Sequence, residues 1–138
     1  MGDCKGNGKG VILSVDDEMI VLQALREQLR SAYGERYLIE IAESADEGLE
    51  ILDELSDQGL SPLVLISDFQ MPGMKGDEFL IQARRRFPTV VTVMLSGQVS
   101  DEALERLQQE GGLHQLFAKP WDALALRQSI DAGLAKCP

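Results

Sequence analysis

The stretch Val11-Ile12-Leu13-Ser14-Val15-Asp16-Asp17-Glu18 decides the fold: a short, nearly continuous apolar run that stops abruptly in three acids. A run this short, rich in branched aliphatics, suits a strand covered on both faces. The pattern recurs twice. Leu63 to Ile66 runs into Ser67-Asp68, and Val90 to Leu95 runs into Ser96-Gly97. Tyr37 to Ala42 and Leu113 to Ala118 are more mixed, as strands at the margins of the same sheet would be.

Between these five strands the apolar residues change to helical spacing. Leu22, Leu25, Leu29 and Ala32 form one stripe, and Ala45, Leu49, Leu52 and Leu55 a second. Phe79, Ala83 and Phe87 form a third; Ala103, Leu104 and Leu107 mark a fourth helix, taken to run from Ser100 to Gln109; Leu126, Ile130 and Leu134 mark a fifth. Ser44-Ala-Asp-Glu47 reads as a capping box, and Asp122 is placed to cap the last helix while Trp121 staples onto Leu126. Alternating strands and helices demand right-handed crossovers and a parallel sheet. The expected fold is a single doubly wound α/β domain, with a five-stranded parallel sheet and helices on both faces. The glycine-rich start, residues 1–9, is read as a tail, and residues 10–136 as the domain.

Composition narrows the function. The 138 residues suffice for one core, and a formal net charge of −10 repels a polyanion, which disfavours direct nucleic-acid binding. Cys4 and Cys137 lie near opposite ends without metal-ligand spacing, so both read as reduced thiols in a cytoplasmic protein. The glycine-rich start is not a signal peptide, and no apolar run approaches the roughly 20 residues that cross a bilayer. With nothing after the fifth helix, any output domain is expected outside this sequence.

In an open parallel sheet, ligands sit outside the carboxyl ends of the strands. Asp16 and Asp17 end the first strand, Asp68 the third, Ser96 the fourth and Lys119 the fifth. One carboxylate at a strand end is ordinarily a helix cap or a solvated charge; five such polar residues on one edge are harder to dismiss. Three converging carboxylates repel one another unless a cation neutralises them, and an all-oxygen donor set without His or Cys favours Mg2+ over zinc. One of the acids can then serve as nucleophile toward a phosphoryl group, with Lys119 pairing to phosphoryl oxygens and Ser96 donating a hydrogen bond.

Four motifs, in order and spacing, carry a family resemblance: Val15-Asp16-Asp17-Glu18, Ser67-Asp68-Phe-Gln-Met-Pro-Gly-Met-Lys-Gly76, Met94-Leu-Ser96-Gly97 and Ala118-Lys119-Pro120-Trp121. The chain resembles the receiver domain of two-component response regulators over roughly residues 10 to 136. The resemblance implies a flavodoxin-like strand order 2-1-3-4-5, with Asp68 as phospho-acceptor. It implies Asp17, Asp68 and the backbone carbonyl of Gln70 as direct Mg2+ ligands, with Asp16 acting largely through water. Ser96 corresponds to the hydroxyl that carries the switch, and Lys119-Pro120 to a peptide bond often cis in the family. The implied partners are a sensor histidine kinase or phosphotransfer protein and a downstream protein or output domain. Homodimerisation through the fourth and fifth helices is a family habit.

Three positions need separate treatment. Receivers often carry Tyr or Phe three residues before the lysine, but here that position is Leu116; Phe117 faces the opposite side of the strand and is read as core. His114 is read as a polar edge residue, and Arg84-Arg-Arg86 as a solvated helix end complementing the macrodipole. Two other functions compete with a signalling switch. A Mg2+-dependent phosphohydrolase would be expected to carry an acid where Gln70 stands, and a flavodoxin-like redox domain would not present Asp16-Asp17-Glu18 to a flavin phosphate.

Overall fold

The computed structural model describes residues 10–136. The tail reading and both cysteines lie outside them. Five strands, β1 (Gly10–Val15), β2 (Leu38–Ala42), β3 (Ser61–Ser67), β4 (Val91–Leu95) and β5 (Gln115–Phe117), alternate with helices α1 (Met19–Tyr33), α2 (Ala45–Asp57), α3 (Gly76–Arg86), α4 (Asp101–Arg106) and α5 (Ala123–Ala135). All neighbouring strands are parallel, in the order β2-β1-β3-β4-β5. The expected doubly wound sheet is therefore present.

Strand alternation splits the core in two. Val11, Leu13 and Val15 of β1 join Leu52, Phe79, Ala103 and Leu107 on the face covered by α2, α3 and α4. Ile12 of β1 joins Leu25, Leu29, Tyr33, Leu126 and Ile130 on the face covered by α1 and α5. The edges are shorter than the sequence suggests: only three residues of Leu113 to Ala118 pair with β4.

Helix starts follow the cap chemistry. Ser44 accepts from the Glu47 N–H at 3.1 Å, Ser100 from Ala103 at 3.1 Å, and Asp122 from Leu124 at 3.3 Å. The box around Ser44 is only half formed, because the Glu47 carboxylate accepts from Glu43 N–H, 2.5 Å away, instead of from Ser44. Trp121 and Leu126 share the α1/α5 cluster as the staple requires, and the indole N–H of Trp121 donates to Gln28 of α1 at 3.0 Å.

Two features depart from the expected pattern. The fourth helix is α-helical only to Arg106 and continues as a π-helical turn, Leu107–Gly111, closed by Gly112 in the left-handed region at φ 56°. The Arg84 to Arg86 run is engaged rather than merely solvated. Arg84 donates to the carbonyls of Pro88 at 2.6 Å and Gly112 at 3.1 Å, Arg85 pairs with Glu110, and Arg86 with Asp53. The C-terminal end of α3 thus grips the π turn.

Helices α1 and α5 are joined through Tyr33, whose buried hydroxyl donates to Asp131 Oδ1 at 2.7 Å, with the Arg127 carbonyl a second acceptor within reach at 3.1 Å. Burial, then the Asp131 carboxylate, push its ionisation well above the usual phenol range, so it acts as a neutral donor. Tyr33→Phe is expected to destabilise the fold by about 1.5 kcal/mol, the worth of a hydrogen bond to a charged acceptor. A urea melt measures this as a lower midpoint at unchanged slope; an unshifted midpoint would show that the tie contributes nothing.

Candidate functional site

The backbone ladder continues one rung past the ends of three strands and fixes the site residues. Asp16 N–H donates to the Ala42 carbonyl at 3.1 Å, Asp68 N–H to Val15 at 3.0 Å, and Ser96 N–H to Phe117 at 3.0 Å. The apolar runs, anchored in the core, thus decide where the polar residues project. An open cleft above these ends is lined by Asp17, Glu18, Asp68, Gln70, Ser96, Gly97, Gln98 and Lys119.

Oxygen atoms of Asp16, Asp17 and Asp68 lie within 4.8 Å of one another. Asp16 and Asp68 are buried and Asp17 is exposed, so the cluster is rooted in the sheet and open on one side. Hard oxygen donors with an open face suit a divalent ion that keeps several waters, which is the preference of Mg2+.

Lys119 supplies the compensating charge. Its Nζ lies 2.7 Å from Asp16 Oδ2, 3.4 Å from Glu18 Oε1 and 3.5 Å from Asp68 Oδ2. Burial pushes the Asp16 carboxyl above the usual carboxylate range, and the Lys119 hydrogen bond and Glu18 N–H offset only part of this. For Lys119, burial acts to lower the pKa. The hydrogen bond to Asp16 and the charges of Asp16 and Asp68 outweigh it, and the ammonium is held protonated more firmly than a free lysine. The Lys119-Pro120 bond is cis.

Ser96 is buried at the end of β4, and its hydroxyl donates to the Gln98 carbonyl at 3.1 Å. Leu116 packs against the α2/α3/α4 core and Phe117 against the α1/α5 core, so the two face opposite sides as the pleat dictates. His114 lies away from the acids, its ring bonded to the Ser129 carbonyl of α5 at 2.8 Å.

Two contacts were not anticipated from sequence. The sequence assigns Glu18 no role at the site, yet its carboxylate reaches Lys119; the signal was its place beside two acids at a strand end. Lys75 reaches the Gln70 side chain at 3.4 Å across the rim of the cleft, a pairing five residues apart on a loop that no periodicity reveals.

Residues 12–131 match the response regulator receiver domain. The chain belongs to this family. Receiver domains are signalling modules of two-component systems, switches rather than conventional enzymes. Among similar proteins is the hydrogenase transcriptional regulatory protein HoxA of Cupriavidus necator, 34% identical over 90% of this chain and 25% of that protein. Another is the DNA-binding transcriptional regulator NtrC of Escherichia coli, 28% identical over 83% of this chain and 22% of that protein. The receiver chain thus spans about a quarter of the length of these relatives. A CheY-like receiver domain protein from Methanospirillum hungatei superposes with a TM-score of 0.80 at 26% identity, covering 94% of this chain and 96% of that one. The signal receiver domain of an HD domain-containing protein from Pseudomonas fluorescens gives 0.76 at 26% identity, covering 94% and 100%. Among the described residues no helix is long and apolar enough to cross a membrane.

Proposed function

We propose that this receiver domain is a phosphorylation switch in which Asp68 accepts a phosphoryl group from a sensor histidine kinase or phosphotransfer protein. The observation that carries the reading is the convergence of Asp16, Asp17 and Asp68 with Lys119 in one cleft at the carboxyl edge of the sheet. In the transfer, a carboxylate oxygen of Asp68 forms a bond to phosphorus while the bond to the donor breaks, and its electron pair leaves with the donor.

The geometry supports a division of labour. Asp16, Asp17, Asp68 and the backbone carbonyl of Gln70 would hold Mg2+, which when bound neutralises the acids and the charge on the transferring oxygens. Lys119 is already beside Asp68 and would pair with phosphoryl oxygens as a point charge. Ser96 would exchange its bond to Gln98 for one to the phosphoryl group. With Leu116 in place of an aromatic, the change would pass through the loop after Ser96 and α4, altering the face offered to a downstream partner or output domain.

Trp121 tests this reading. It follows Lys119-Pro120 and is tied to α1 through Gln28, so its fluorescence is expected to change on addition of Mg2+ and again with beryllofluoride. If neither changes it and acetyl phosphate fails to label the protein, the switch reading is wrong.

Phosphoryl lifetime provides a second expectation. A Cβ on Gly97 would meet no atom within 4 Å, so a larger side chain fits there without disturbing the fold. Gly97→Thr is therefore expected to shield the acyl phosphate from water and slow its decay several-fold in a dephosphorylation time course. Unchanged decay would remove Gly97 from the water path.

A further inference from the structure

We infer that Glu18 is a positioning residue for Lys119, holding the ammonium in the unphosphorylated protein so that its contact opposes phosphoryl acceptance at Asp68. The inference rests on the phosphorylation reading above and adds a residue to which that reading gives no role.

Glu18 stands at the start of α1. Glu18 occupies the N-cap position of this helix, where a side chain would ordinarily accept a hydrogen bond from a backbone N–H of the first turn, yet it makes no such bond. That turn carries no acidic residue to compensate. The Glu18 carboxylate extends across the cleft instead and meets Lys119 Nζ at 3.4 Å. Its backbone is fixed meanwhile, because Glu18 N–H donates to Asp16 Oδ1 at 2.9 Å. Main chain and side chain thus grip the same pair, Asp16 and Lys119, from one residue.

Lys119 is consequently shared among three carboxylates. Asp16 holds it at hydrogen-bond distance, while Glu18 and Asp68 lie at nearly equal range on the cleft side, 3.4 and 3.5 Å. A phosphoryl group on Asp68 needs the same ammonium, and a lysine is a point charge that can be drawn either way. Because the Glu18 side chain is 64% exposed against 18% for Lys119, the Glu18 bond is the weak, water-screened one of the set and the one that yields. The contact therefore sets how readily the ammonium turns to the phosphoryl oxygens.

The test compares rates of acetyl phosphate labelling, with Mg2+, for the wild type, Glu18→Gln and Glu18→Asp, each checked for folding by circular dichroism. Glu18→Gln removes the charge. Glu18→Asp keeps the charge but is one methylene too short to span to Lys119. If Glu18 acts by holding Lys119, both variants label several-fold faster than wild type. Unchanged or slower labelling in Glu18→Gln overturns the inference. Wild-type rates in Glu18→Asp with faster labelling in Glu18→Gln also overturn it, since charge at the mouth of the cleft would then suffice. If the wild type itself takes no label, the phosphorylation reading fails instead, which keeps the two failures apart.

Discussion

Asp68→Asn is expected to abolish labelling by acetyl phosphate while leaving the fold intact and, without Mg2+, somewhat more stable. The first effect follows from chemistry: an amide is not a nucleophile toward phosphorus, and the remaining acids are differently engaged. Asp16 is occupied by Lys119 and by Glu18 N–H, and Asp17 lies on the open side of the cleft. The second follows from electrostatics. Asp16 and Asp17 have oxygens within 4.8 Å of those of Asp68, and relief of each like-charge contact contributes on the order of 1 kcal/mol in a water-accessible site. Lys119 keeps its 2.7 Å bond to Asp16 in the variant, so the lysine is not left unpaired. Thermal melts with and without Mg2+ read both consequences: a higher midpoint in the metal-free variant and a smaller Mg2+-induced gain than in wild type. Labelling of the variant at the wild-type rate would refute the assignment of Asp68 as acceptor.

The largest effect on stability is expected at Gly76, the first residue of α3. Its N–H donates to the Phe69 carbonyl at 3.0 Å, closing the loop that leaves Asp68. The closure brings its Cα so near the acceptor strand that an added Cβ would overlap the Asp68 carbonyl oxygen and crowd Ser67 Oγ. The first and closer obstacle is backbone, and the second is a serine hydroxyl. The Ser67 hydroxyl itself donates to the Asp68 carbonyl at 2.9 Å, so both crowded groups belong to one hydrogen bond beside the site. Gly76→Ala should cost about 3 kcal/mol, the upper part of the range for overpacking a site that cannot relax. It should also slow phosphoryl acceptance, because relief of the overlap must move Asp68. Urea midpoints and labelling rates measured together test this; a variant as stable and as active as wild type would show that the loop has room the structure does not suggest.

The contrast between these positions shows what was legible in the sequence. The parallel five-stranded sheet and the acidic edge could be read because both follow from local rules, apolar runs of strand length with polar residues at their ends and right-handed crossovers, whereas the strand order came from the family resemblance. Asp16, Asp17, Asp68, Ser96 and Lys119 are all placed by strands, and the structure gathers all five at one edge.

Contacts made by long side chains across loops could not be read in this way. Arg106 meets Asp77 and Glu78 of α3, and Arg84 reaches the carbonyl of Gly112. Those pairs lie 28 or 29 residues apart in the chain, and local patterning carries no signal for them. The π turn was hidden for a related reason. Leu107 keeps its core position, so the hydrophobic stripe reads as an ordinary helix, and the extra residue is absorbed just before Gly112. At Ser44 the capping pattern was right about the hydroxyl but not about Glu47, whose carboxylate accepts from the Glu43 N–H rather than from that of Ser44.

These contacts bear on how the switch is transmitted. Under the proposed switch, Leu116 offers no aromatic route, and the grip of α3 on α4 and its π turn, through Arg84, Arg85 and Arg106, would supply a mechanical connection from the Asp68 loop to α4. The C-terminal end of α4 and its π turn are thus tied to α3, the helix that follows the Asp68 loop.

The most direct measurement of the central claim is the location of the phosphoryl group itself. The wild-type chain is incubated with Mg2+ and acetyl phosphate, the acyl phosphate is trapped by reduction, and the peptides are mapped by mass spectrometry. The account predicts a single modified residue, Asp68, lost when Mg2+ is chelated. Modification at Asp16 or Asp17, or an unmodified chain under conditions where Trp121 reports Mg2+ binding, would contradict it.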